Sequence, residues 1–121
     1  MDPENITFRP VTVCNMTIGE GLPKICIPLT GDTPDKLMQE LLSVLPEKPD
    51  MLEWRADFYK PLWNDLNKTG GAAIDEADTR FAIEFRYALK NAIETIFRVC
   101  APQIPVLFTV RTDSEGGHLF I

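Results

Sequence analysis

No stretch of the chain reaches the roughly 18 consecutive apolar residues that a membrane-spanning helix needs, so no membrane span is expected. Basic charge is also scarce: 12 Lys and Arg stand against 18 Asp and Glu, a net charge of −6. The basic residues form no run or patch. That argues against a nucleic-acid surface, which must neutralise phosphates. Histidine occurs once, as His118, and cysteine only as Cys14, Cys26 and Cys100. An odd number of scattered cysteines without a Cys-x-x-Cys pair offers no disulfide framework, and with one histidine it offers no metal cluster. Buried free thiols in a reducing compartment are expected instead. No Gly-x-Gly-x-x-Gly or Walker loop follows any strand, which leaves a nucleotide-binding, flavodoxin-like reading without support. Internal repeats and low-complexity segments are missing too. Met1-Asp2-Pro3-Glu4 is acidic and precedes no apolar segment, so no signal peptide is expected and the cytoplasm is the expected location.

What is present is the composition of a soluble globular domain, 45% apolar and 25% charged over 121 residues. A single domain spanning 1–121 is expected, large enough to bury a real core. Val11–Val13 and Met16–Ile18 are short β-prone runs around Cys14-Asn15 and predict a hairpin. Lys24–Leu29 predicts a first main strand, with Pro28 near its end because proline cannot donate to a ladder. Thr33 suits an N-cap, Pro34 the first helical position and Asp35 the positive end of the helix dipole. Leu37, Met38, Leu41, Leu42 and Leu45 recur at helical spacing until Pro46 and Pro49. Met51–Asp57 reads as a second strand. Asn67–Gly71 is a loop signal. Asp75–Cys100 is helical, with Phe81, Phe85, Ala88, Leu89, Ala92, Ile93, Ile96 and Phe97 on one face. Pro105–Thr112 is a third strand. Strands alternating with helices imply a parallel sheet, either a barrel or a doubly wound sheet.

Two of these strands carry charge that an ordinary core strand does not tolerate. Period-two alternation puts Leu52, Trp54 and Ala56 on one face of the second strand, and Glu53, Arg55 and Asp57 on the other. The third strand is apolar until Arg111. Buried charges cost several kcal/mol each unless paired or engaged by a ligand. Glu53, Arg55 and Arg111 together predict a polar pocket for an anionic, hydroxylated small molecule. A structural Glu–Arg pair within a core is the alternative. Arginine suits the first reading, because its planar fork matches carboxylates and vicinal hydroxyls. Trp54 and Trp63 read as packing residues, since no basic residues interleave with them.

Glu53-Trp54-Arg55-x-Asp57, followed by Phe108-Thr109-x-Arg111-Thr112-x-x-Glu115-Gly116-Gly117, resembles the N-terminal half of the type I 3-dehydroquinate dehydratases. These are lyases of the shikimate pathway, which leads to aromatic amino acids. Pro23–Gly31 resembles that family's first barrel strand, and the likeness runs from about Val11 to Gly117. The resemblance implies an α/β fold that is a partial (β/α)8 TIM barrel: an N-terminal β-hairpin plus about the first three βα units. It implies that Glu53, Arg55 and Arg111 bind the hydroxyl and carboxylate groups of 3-dehydroquinate. It also implies that Glu115 orients a catalytic histidine. The family needs no metal or organic cofactor, because a lysine imine is the electron sink.

That lysine and that histidine come from later strands in the family, and no residue here matches them. His118 is read as a loop residue. A complete barrel needs about 250 residues. The chain is therefore expected to be truncated and inactive alone, and its open strand edges are expected to promote self-association or homodimerisation. The competing class is a noncatalytic small α/β module that binds carboxylates or serves as an interaction domain.

Overall fold

The computed structural model describes residues 9–63, 77–100 and 104–117, apart from the side chains of 77–81. The 64–76 connection, with its predicted loop at Asn67–Gly71, lies outside the described residues, as does His118. The predicted hairpin is present. Strands β1 (Val11–Val13) and β2 (Met16–Ile18) pair antiparallel, Val11 opposite Ile18. Cys14 makes the turn in the left-handed region at φ 54°.

The main body alternates β3 (Cys26–Leu29), α1 (Pro34–Val44), β4 (Met51–Arg55), α2 (Ala77–Cys100) and β5 (Val106–Thr109). The three strands lie in the order β3-β4-β5, all parallel. Helix α1 starts where its residues predict. Thr33 has extended backbone, and its Oγ1 accepts the Lys36 N–H at 3.2 Å. Pro34 costs no hydrogen bond at the first helical position. The helix ends in a 3-10 turn, Leu45–Glu47, closed by Lys48 at φ 53°.

Strand periodicity sorts the sheet into two unlike faces. Ile27 and Leu29 of β3 stand in register with Leu52 and Trp54 of β4, which in turn face Val106 and Phe108 of β5. This face carries the core. Leu29, Leu37, Leu41, Leu52, Trp54, Ala92, Ile96 and Cys100 form one buried cluster between the sheet and the two helices. Each fully buried leucine contributes about 2 kcal/mol of transfer free energy. The other face, with Cys26 and Pro28 of β3, Glu53 and Arg55 of β4, and Leu107 and Thr109 of β5, has no helix packed on it among the described residues.

Four expectations need correction. Strand β4 stops at Arg55 rather than Asp57, because Ala56–Phe58 turns into a 3-10 helix. The Ala56 carbonyl anchors that turn, accepting the Tyr59 N–H at 3.1 Å and the Trp63 indole N–H at 2.7 Å. Asp57 thus leaves the strand register and is buried at 3% exposure. Strand β5 is also short, Val106–Thr109 rather than Pro105–Thr112, and β3 starts at Cys26 rather than Lys24. Finally, only Cys100 is a buried thiol; Cys14 sits in the exposed hairpin turn and Cys26 on the uncovered face. Trp54 and Trp63 pack as expected, Trp54 against Tyr59 and Phe108, and Trp63 against Phe85.

Candidate active site

The polar residues gather at the C-terminal end of the parallel strands, where the face without helices meets the loops. Glu53 is half-buried in central strand β4, and its Oε2 accepts a hydrogen bond from the Thr109 hydroxyl of β5 at 3.1 Å. The parallel register explains the meeting: Arg55 stands level with Thr109, two residues past the Glu53–Leu107 level. A glutamate on this face thus has one oxygen fixed and the other free of any hydrogen bond among the described residues.

Arg55 ends the strand. Its fork is held by Asp57: Nε donates to Oδ1 at 3.0 Å and Nη2 to Oδ2 at 2.8 Å. The Phe58 ring lies 4.9 Å from the guanidinium carbon, a cation–π distance. Hydrogen bonding to Asp57 is the main reason that the Arg55 pKa lies above its ordinary value, with the charges of Asp57 and Glu53 adding to it. Two paired charges at this depth need good geometry to repay desolvation, and the bidentate fork supplies it.

Arg111 and Glu115 form a second group, in the loop after β5. Arg111 is exposed. Glu115 closes a 3-10 turn, Asp113–Glu115, through a capping box. Its Oε2 accepts from the Thr112 N–H at 3.1 Å and the Thr112 hydroxyl at 3.0 Å. These bonds, the backbone one first, hold its carboxyl below the ordinary range, with help from the Arg111 charge. Gly116 supplies the left-handed cap at φ 80°, and Gly117 folds back against Arg111 with no room for a side chain. The Gly117 N–H donates to the Thr112 carbonyl at 2.7 Å.

Of the four residues singled out from sequence, Glu53 lies near enough to Arg55, and Arg111 to Glu115, for their charges to be felt, but no hydrogen bond or ion pair joins either two among the described residues. Each is held instead by a different partner: Glu53 by Thr109, Arg55 by Asp57 and Glu115 by Thr112. The sequence reading assigned no role to Asp57 or Thr109, although both stand in the quoted motifs. The strand register was the signal for Thr109. It also overlooked Glu40 of α1, whose carboxylate accepts the Thr30 N–H at 3.0 Å and the Gly31 N–H at 2.5 Å, shaping the loop after β3. Asp32 in that loop is bridged by Lys60, 3.1 Å from Oδ2, and its carbonyl accepts the Lys60 N–H at 3.0 Å. Lys36 lies 3.1 Å from Oδ1, an ion pair off the line of a hydrogen bond. Among the described residues no cluster of His, Cys, Asp and Glu is arranged to hold a metal ion, and no helix is long and apolar enough to cross a membrane.

Successive parallel strands with helices on one face, and an acid and an arginine at the strand ends of the other, have the arrangement of an arc of an α/β barrel. The type I 3-dehydroquinase family model matches residues 25–120, most of the chain. The chain belongs to the type I 3-dehydroquinase family, a family of hydro-lyases acting on a small molecule, and its fold is a partial (β/α)8 barrel. The 3-dehydroquinate dehydratase of Listeria welshimeri is 37% identical over 114 residues, which are 94% of this chain and 36% of that protein. The crystal structure of the Geobacillus kaustophilus 3-dehydroquinate dehydratase matches at a TM-score of 0.69 and 29% identity, covering 93% of this chain and 35% of the other. A type I enzyme from Clostridium difficile, solved with covalently modified comenic acid, matches at 0.66 and 31%, covering 95% and 37%. The chain spans about a third of the length of these relatives.

Proposed function

We propose that residues 1–121 form one domain and supply the substrate-binding part of a 3-dehydroquinate dehydratase. Glu53, Arg55 and Arg111 engage the hydroxyl and carboxylate groups of 3-dehydroquinate, while Glu115 orients the histidine that moves the proton. The observation that carries the reading is the Glu53–Thr109 and Arg55–Asp57 arrangement on the face without helices, at the C-terminal strand ends. A charged pair placed there has a use that a core ion pair lacks. The reaction condenses a lysine amine with the substrate ketone, losing water to form an imine. Removal of the adjacent proton then expels the hydroxyl as water, and hydrolysis of the imine frees 3-dehydroshikimate. No lysine or histidine of this sequence matches the residues that perform those steps in the family, so this chain binds and orients rather than reacts. The reading sets the chain in the cytoplasm, with a small-molecule substrate, no nucleic-acid partner and no metal or organic cofactor. The edges of β3 and β5, unpaired among the described residues and the latter with half-exposed Leu107 and Phe108, favour self-association.

Titration with 3-dehydroquinate, followed by backbone NMR, is expected to move the resonances of Glu53, Arg55 and Thr109. A titration that moves none of them rejects the reading. Incubation with 3-dehydroquinate and borohydride is expected to leave the intact mass unchanged. A reduced adduct shows that one of the chain's own lysines forms the imine and overturns the division of labour.

A further inference from the structure

We infer that Asp57 is a positioning residue for the substrate: it holds Arg55 so that the free edge of the guanidinium meets the ligand in one orientation. The inference rests on the reading of Arg55 as a substrate contact and adds a residue to it. The observation is the form of the pair. Asp57 is a fully buried carboxylate, with a side-chain exposure of 0% against 11% for Arg55. It takes the Nε and one Nη2 hydrogen of the fork in two near-parallel bonds. The Nη1 hydrogens donate to no acceptor among the described residues. Phe58 covers the guanidinium carbon at 4.9 Å. A long side chain with many rotamers is thereby reduced to one, before any ligand arrives.

The backbone is built for this. The chain leaves β4 immediately after Arg55, and the 3-10 turn Ala56–Phe58 swings Asp57 under the fork of its own neighbour. Trp63 and Tyr59 lock that turn through the Ala56 carbonyl. Had the strand run on to Asp57, as alternation predicts, the carboxylate would lie beside the ligand and compete with it for the arginine.

A buried ion pair that serves only the fold is the competing account. A double-mutant cycle on ligand affinity separates the two. The dissociation constant for 3-dehydroquinate is measured by calorimetry on the parent chain, Asp57→Asn, Arg55→Lys and the double variant. Asp57→Asn turns an amide N–H toward a guanidinium N–H, and an affinity loss of about tenfold is expected, the worth of roughly one hydrogen bond. In the Arg55→Lys background, which keeps the charge and loses the fork, the same substitution is expected to have no further effect. Equal losses in both backgrounds, or no loss in either, overturn the inference while the substrate reading stands. A parent chain that does not bind 3-dehydroquinate overturns both. Should Asp57→Asn fail to fold, the Arg55 Nε–H resonance of the parent decides. It is expected to stay protected from exchange as ligand is added, and faster exchange on binding means that the ligand breaks the clamp.

Discussion

Replacing Gly31 by alanine tests how the loop after β3 is held. A methyl group there meets the Leu37 nitrogen at 2.6 Å, the Lys36 carbonyl carbon at 2.8 Å and Glu40 Oε1 at 2.9 Å. Two of these atoms belong to the backbone of α1 and cannot swing aside. The loop must therefore move away from the helix, and the bonds from the Thr30 and Gly31 N–H groups to the Glu40 carboxylate stretch or break. Losing one partly buried, charge-assisted hydrogen bond costs about 1.5 kcal/mol, and the residual overpacking about 1–2 kcal/mol. The total is roughly 3 kcal/mol, a fall in Tm of about 10 °C for a chain of this length. Gly116→Ala is the comparison. Its methyl meets nothing within 4 Å, but its φ of 80° penalises an L side chain by about 1 kcal/mol. Thermal melting followed by circular dichroism ranks the two. The steric reasoning fails if Gly31→Ala melts within about 2 °C of the parent, or loses less than Gly116→Ala.

At Gly117, alanine would drive a methyl into the Arg111 carbonyl, so the turn that carries Glu115 is expected to open; carbon-13 NMR of the carboxyl should then report a Glu115 pKa rising toward the ordinary value, and an unchanged one refutes the contact. Thr109→Val keeps the shape and leaves Glu53 Oε2 without its donor, an expected loss of about 1 kcal/mol by denaturant titration, with weaker 3-dehydroquinate binding; equal stability and affinity would remove Thr109 from the site. The Asp32 carboxyl is held low by the ammonium of Lys60 first and that of Lys36 second, and Glu115 by hydrogen bonds from Thr112. Both folded-state values lie below the ordinary 3.8 and 4.5, so their contribution is present at neutral pH and is lost as the pH falls below that range. Melting curves from pH 6 to pH 3 are expected to flatten in Asp32→Asn and Glu115→Gln, and parallel curves for parent and variants would contradict the assignment.

The order of elements and the class of fold were legible in the chain itself. Apolar residues at helical spacing between Thr33 and Pro46 mark α1, and alternation about Trp54 marks β4, because burial imposes its period directly on the sequence. Glu53 and Arg55 stood out because charge inside such a strand needs a reason. Their partners were not legible. Thr109 reaches Glu53 across 56 positions, and only the register of two parallel strands brings them level. Asp57 looked like a third member of the polar face, yet a 3-10 turn pinned by the Trp63 indole carries it into the interior.

Local pattern thus determined which segments are strands and helices, and which residue types meet on each face, since those depend on near neighbours along the chain. Which carboxylate clamps which arginine, which glycine has room for a methyl, and which sheet face stays uncovered were decided by tertiary structure. These depend on strand register and on the path of turns and loops, even where the partners are near in sequence as Arg55 and Asp57 are, and no period in the chain encodes them.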